Sequence, residues 1–292
     1  MNRMLSVTFL LFVVIAPYCN AQPMAAPLKE EIQVDESARV ENFSGKSILI
    51  FTPHPDDETF SMGGTIARLV ENGNTVRIVI YTNDNRGSQD LDMTRERLAQ
   101  IRRAEEEAAC AILGVPKENI TWLGYEDGDL EYADPRVLRG DICRLIKLYK
   151  PDAVFSPDPG ATWNQWHKTD HRMAANITKD SFIAAEWHLY YPQHLLDEGL
   201  KPYAVPVAYY YYSQEPDYEI DITPHFEAKA KAATAHVSQF APSVSKYTPD
   251  MAPDVAKAIR DGFAKSNIKP SAKSKRTAEP VYVERFRREE AP

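Results

Sequence analysis

Four apolar runs, at 47–52, 75–81, 120–123 and 152–156, alternate with stretches of helical length at 59–73, 93–113 and 135–149. The runs are nearly continuous in Ile, Val, Leu and Phe, with little polar alternation, which is the pattern of strands covered on both faces. Strand and helix in this rhythm predict an α/β, Rossmann-like, mostly parallel sheet with helices on both faces, built as a single domain. Further along, the spacing predicts a helix at 172–182, a strand at 207–213, a helix from a cap at 221–223 to Phe240, and a last strand at 281–286. The four tyrosines at 209–212 are expected to alternate between core and surface. Residues 264–280 read as a loose, basic, solvated loop.

Ligands of such sheets bind outside the carboxyl ends of the strands, and the polar clusters of this chain fall there. The densest is Pro53-His54-Pro55-Asp56-Asp57-Glu58, directly after the first strand and before Gly63-Gly64. An imidazole and three carboxylates at the end of a buried strand are costly unless something compensates them, and a metal ion would. His54 and Asp57, three apart on a turn entering a helix, are spaced to reach one ion. A third ligand is available in the second cluster, His167-Lys168-Thr169-Asp170-His171, at His171. A catalytic zinc takes three N/O ligands and keeps one position open. Asp56, outside that set, is placed to accept a proton from water. The competing reading is that Asp56 and Asp57 cap the helix that follows.

Pro53-His54-Pro55-Asp56-Asp57-Glu58 resembles the defining motif of the PIG-L/LmbE family of zinc-dependent N-deacetylases. The resemblance continues in Arg102 with Glu105, in Leu123-Gly124-Tyr125-Glu126-Asp127-Gly128, in Lys150-Pro151-Asp152-Ala153-Val154, and in Lys229, His236, Ser238 and Gln239. It implies a deacetylase domain over 45–292 that hydrolyses the amide of an amino sugar such as an N-acetylglucosamine derivative. By resemblance His54, Asp57 and His171 hold Zn2+ (or another divalent ion such as Fe2+), and Asp56 is the general base. Arg102 and Asp127 become candidates for gripping the substrate, Arg102 having an ion pair with Glu105 or Glu106 as its alternative. Trp166 and Trp163 are candidates for stacking on a sugar face. One position departs from the family: its usual His-x-Asp-His reads Lys168-Thr169-Asp170-His171 here. The group facing the oxyanion or the leaving amine is therefore His167, Lys168 or His236, and Asp170 is expected to hydrogen-bond an imidazole. Two other readings stay open, an amidase or esterase acting on a non-sugar conjugate and a carbohydrate-binding protein without turnover.

Residues 1–21 read as a signal peptide: Arg3, an apolar stretch from Met4 to Pro17, and small residues at the cleavage positions Cys19 and Ala21. Residues 22–44 form a polar leader. Export to the periplasm or outside the cell, with no stable membrane span after cleavage, is the expectation. The formal charge of −8 argues against a nucleic-acid partner and leaves a small molecule or glycan as substrate; the oligomeric state is open. After the leader two cysteines remain, Cys110 and Cys143, either as buried thiols or as a disulfide.

Overall fold

In strand β1 (Ser47–Thr52) Ile48 and Ile50 enter one core while Leu49 and Phe51 enter another, all four fully buried. Successive strand residues point to opposite faces, so two cores mean a sheet covered on both sides. The computed structural model describes residues 26–28, 30–160, 168–269 and 279–290. Among them seven strands form one sheet, and β2 (Thr75–Thr82), β3 (Ile120–Tyr125), β4 (Ala153–Pro157) and β5 (Val207–Tyr211) join β1 in the order β3-β2-β1-β4-β5-β7-β6. The first five are parallel; β7 (Val283–Glu290) runs antiparallel to β5 and to β6 (Tyr218–Asp221). Helices α1 (Asp57–Glu71), α2 (Arg95–Leu113) and α6 (Phe226–Ala233) supply one core, through Ile66, Leu69, Leu113 and Phe226. Helices α3 (Pro135–Tyr149) and α4 (Thr169–Glu186) supply the other, through Ile142, Ile146, Ala174 and Ile177. The expected α/β sheet with helices on both faces is what the chain forms.

Several expectations are corrected. The tyrosines at 209–212 do not alternate with solvent; all four are buried, because β5 lies between β4 and β7 and is covered on both faces. The helix expected to reach Phe240 stops at Ala233, and residues 237–239 form a separate tight turn. A short helix α5 (Pro192–Leu196) interrupts the proline-rich segment. Residues 264–267 belong to helix α7 (Pro253–Asn267), not to a loop; 270–278 lie outside the described residues, as do 1–25. The end of the polar leader is built into the fold, with Val40 fully buried and the Glu41 carboxylate accepting from the Tyr218 hydroxyl at 2.5 Å. Cys110 and Cys143 are free, buried thiols in the two different cores, so the sheet stands between them and a disulfide is excluded. No helix among the described residues is long and apolar enough to cross a membrane.

Helix α1 carries the first polar cluster and is broken at Met62 (φ −140°). Beyond the break the N–H groups of Gly64 and Thr65 donate to the Glu284 carboxylate of β7 at 3.0 and 2.7 Å, and Lys229 of α6 donates to the same carboxylate at 2.6 Å. A side chain at Gly64 would meet Ile222 at 2.7 Å, so the close approach of the chain before α6 requires glycine there. Lys229 and Glu284 are both buried. Replacing Lys229 with Met strands the carboxylate on two backbone donors. The expected loss is about 3 kcal/mol of unfolding free energy, read as a lower denaturation midpoint at unchanged m-value.

Candidate active site

The carboxyl end of β1 turns into α1 through Pro53–Asp56, and Asp56 takes φ 131°, a backbone costly for any residue but glycine. The turn is held by side chains from its neighbours. Thr82 donates to the Pro53 carbonyl through Oγ1 at 2.9 Å, and Thr52 Oγ1 donates to the His54 carbonyl at 3.0 Å. Neither Asp is a helix cap in the usual sense: Asp56 stands at the cap position without a side-chain capping bond. The carboxylate of Asp57 instead lies between two imidazoles, with Oδ2 3.2 Å from His54 Nδ1 and Oδ1 3.1 Å from His171 Nε2. His171 arrives from the first turn of α4, whose first residue is Thr169.

Donor atoms of His54, Asp57 and His171 all lie within 4.8 Å of one another. Tetrahedral zinc, with bonds of about 2.0–2.2 Å, needs N/O donors separated by about 3.3–3.5 Å. The spacing around Asp57 is close to that, and two imidazoles with one carboxylate are a zinc-type donor set that leaves a fourth position for water or substrate. The residues fit a divalent metal. A second trio within 4.8 Å, His54 with Asp127 and Asp170, has a different physical sense. His54 Nε2 faces Asp170 Oδ2 at 3.1 Å and Asp127 Oδ1 at 3.3 Å while Nδ1 faces Asp57, so these two carboxylates orient the ring from behind. Asp170 is fixed in turn by the N–H groups of Gly128 and Leu130 at 2.6 and 3.1 Å.

Electrostatics follow from the burial of many carboxylates together. Burial disfavours the charged form of His54, but the hydrogen bonds it donates to Asp127, Asp170 and Asp57 outweigh it and hold its pKa well above the ordinary value. Burial acts against ionised Asp57 too, yet His171 and His54 keep it well below the usual carboxylate range. His171 is pushed down to about 4, first by burial, with Asp57 opposing and the Lys168 charge adding. Asp56 is raised well above the carboxylate range by burial and by the charges of Asp57 and Asp84.

The remaining candidates divide. Lys168 stands at the start of α4, 7% exposed, close enough for its charge to act on His171. Asp127 sits at the rim, accepting from the Arg86 N–H at 3.0 Å and facing His54. Arg102 is not available to a substrate and does not pair with Glu105 or Glu106. Its donors go to Ser238, to the carbonyls of Asp84 and Gly87, to Gln239, and to the Asp84 carboxylate at 2.6 Å. It ties the loop after β2 to the 237–239 turn, where Glu105 accepts from the Ser238 N–H at 2.8 Å. His236 is also withdrawn from the site: it is 1% exposed, edge-on to Phe60, with Nε2 3.8 Å from Glu106. Burial, together with the Arg102 charge, drives its pKa down to about 3. His167, Trp163 and Trp166 lie outside the described residues. Asp84, the partner of Arg102, was not singled out from sequence; nothing distinguishes it from Asn83 and Asn85 beside it.

The chain is similar to known proteins in sequence and in fold. Residues 49–182 match the family model PIG-L, GlcNAc-PI de-N-acetylase. The chain is 33% identical over 195 residues to a diacetylchitobiose deacetylase of Thermococcus kodakarensis, covering 67% of this chain and 70% of that protein. It is 27% identical over 208 residues to a probable N-acetyl-alpha-D-glucosaminyl L-malate deacetylase of Bacillus anthracis, covering 69% and 84%. In structure it is similar to N,N'-diacetylchitobiose deacetylase from Pyrococcus horikoshii, with a TM-score of 0.68 and 30% identity over 89% of this chain and 95% of that one. On the motif, the fold and these likenesses together, the chain belongs to the PIG-L family of deacetylases.

Proposed function

We propose that this protein is a zinc-dependent deacetylase that hydrolyses the acetamide of an N-acetylglucosamine unit to acetate and a free amine. The observation that carries the reading is the convergence of His54, Asp57 and His171 on one point, with the Asp56 carboxylate buried beside it. His54, Asp57 and His171 would hold the ion, and what zinc supplies when bound is Lewis acidity toward water and toward the amide carbonyl. Asp56, buried beside them, takes the proton of the attacking water and returns it to the departing nitrogen. Asp170 and Asp127 fix the orientation of His54. Lys168 supplies positive charge toward the developing oxyanion, at the position where the family pattern has a histidine. The signal-peptide reading of residues 1–21 supports export as the setting for this reaction.

The charge of the rim supports an uncharged sugar as the substrate. Among the described residues, several cations of the loops and helix starts at this edge are matched by carboxylates: Arg86 by Asp129, Arg102 by Asp84, Arg172 by Glu131, and Lys246 by Asp90 and Asp92. Asp127, facing His54, and Glu126, 4.0 Å from Arg95, stand at the same edge. An anionic substituent on the amino sugar would meet like charge. The expected result is a kcat/KM for N,N'-diacetylchitobiose at least about tenfold above that for the N-acetylglucosaminyl malate conjugate, a difference of about 1.4 kcal/mol. Equal or reversed values would remove the charge argument, and release of no amine from either would remove the deacetylase reading.

A further inference from the structure

The turn that presents Asp56 and Asp57 is strained, and a residue far away in sequence grips it. Tyr212, just past β5, has φ 56°, a left-handed backbone that a ring-bearing residue adopts only when its surroundings impose it. Its side chain is buried, packs edge-on against Tyr211 at 5.1 Å, and donates its hydroxyl to the Asp57 carbonyl oxygen at 3.1 Å. Ser61 Oγ donates to the same oxygen at 2.7 Å. The bond from Tyr212, itself at φ 56°, thus reaches the residue that follows Asp56 at φ 131°. A strained conformation persists only where several contacts determine it. The Thr52 and Thr82 bonds fix the Pro53 and His54 carbonyls from β1 and β2, and Tyr212 supplies the hold from the β5 side.

We propose that Tyr212 is a positioning residue for the metal site, its hydroxyl fixing the Asp57 peptide so that the Asp57 carboxylate sits between His54 and His171. The proposal rests on the metal reading given above. Loss of the hydroxyl does not remove a ligand; it lets the Asp56–Asp57 turn relax away from the geometry that both imidazoles require. Residues that orient metal ligands from outside typically contribute about 10–100-fold in affinity or activity.

The test compares Tyr212→Phe with Tyr203→Phe. The second variant removes the same kind of bond, phenol to the Pro151 carbonyl at 3.0 Å, at the amino end of β4. Both are expected to lower the melting temperature by a few degrees, about 2–4 °C. Only Tyr212→Phe is expected to weaken zinc binding, by about tenfold or more in competition with a chelator, and to lower kcat with KM within about twofold. Ser61→Ala, which removes the other hydroxyl from the same carbonyl, is expected to weaken zinc binding in the same direction, and it serves if Tyr212→Phe fails to fold. Zinc affinity of Tyr212→Phe equal to that of the parent, or a loss matched by Tyr203→Phe, overturns the proposal. A parent protein that binds no zinc overturns the metal reading instead.

Discussion

Replacing Asp56 with Asn lowers kcat by about 10²–10⁴-fold while bound metal stays at the parent level. Asn preserves the shape of the side chain, and the bonds that hold the turn come from Thr52, Thr82 and Tyr212 to main-chain carbonyls, so they survive the change. What is lost is the carboxylate that exchanges a proton. The same group must take a proton from water and return it to the departing amine, and an amide side chain does neither. Because the interaction matters in the transition state, kcat and kcat/KM should fall together. Retention of most of the activity by Asp56→Asn would assign the base elsewhere. A fall in activity that merely follows a fall in metal content would make Asp56 a structural part of the metal site.

His171→Ala should behave differently. It takes away one of three donors, and zinc affinity is expected to drop by at least about 100-fold, more than the loss of a residue that only orients a ligand. Activity should fall with it, to the level of chelator-treated parent. The fold should persist, since His171 makes its described contact to Asp57 at the mouth of the sheet and not within either apolar core. The paired result, metal kept in Asp56→Asn and lost in His171→Ala, separates a proton-transfer role from a ligand role at residues that lie side by side. Metal retained at full occupancy in His171→Ala would remove His171 from the ligand set.

Much of this site is legible in the chain because it is local. His54, Asp56 and Asp57 lie within four positions, and the apolar run before them fixes the strand end on which they sit. His171 follows the next strand in the sheet order, so parallel pairing of β1 with β4 brings the two clusters together. Asp170 beside it was expected to hold an imidazole, and it faces that of His54. Arg102 and His236 misled for a common reason. Each sits in a polar motif, and polarity alone does not say whether the partner is a ligand or another part of the protein. The fold spends both on internal joints, Arg102 on Asp84 and Ser238, His236 behind Phe60. Tyr212 was illegible for a third reason: its role depends on a backbone angle and on a bond across 155 positions, and neither leaves a spacing in the sequence. The buried tyrosines at 209–212 were misjudged because the antiparallel strand β7, which turns β5 from an edge into an interior strand, comes from the far end of the chain.

The most direct test of the central claim is acetate release from N,N'-diacetylchitobiose by chelator-stripped protein as zinc is added back. The account predicts no release before zinc, release that rises to a plateau at one equivalent, and free amine formed in equal amount. Release that survives stripping, or that stays absent at every zinc level while the protein binds the ion at His54, Asp57 and His171, would contradict it.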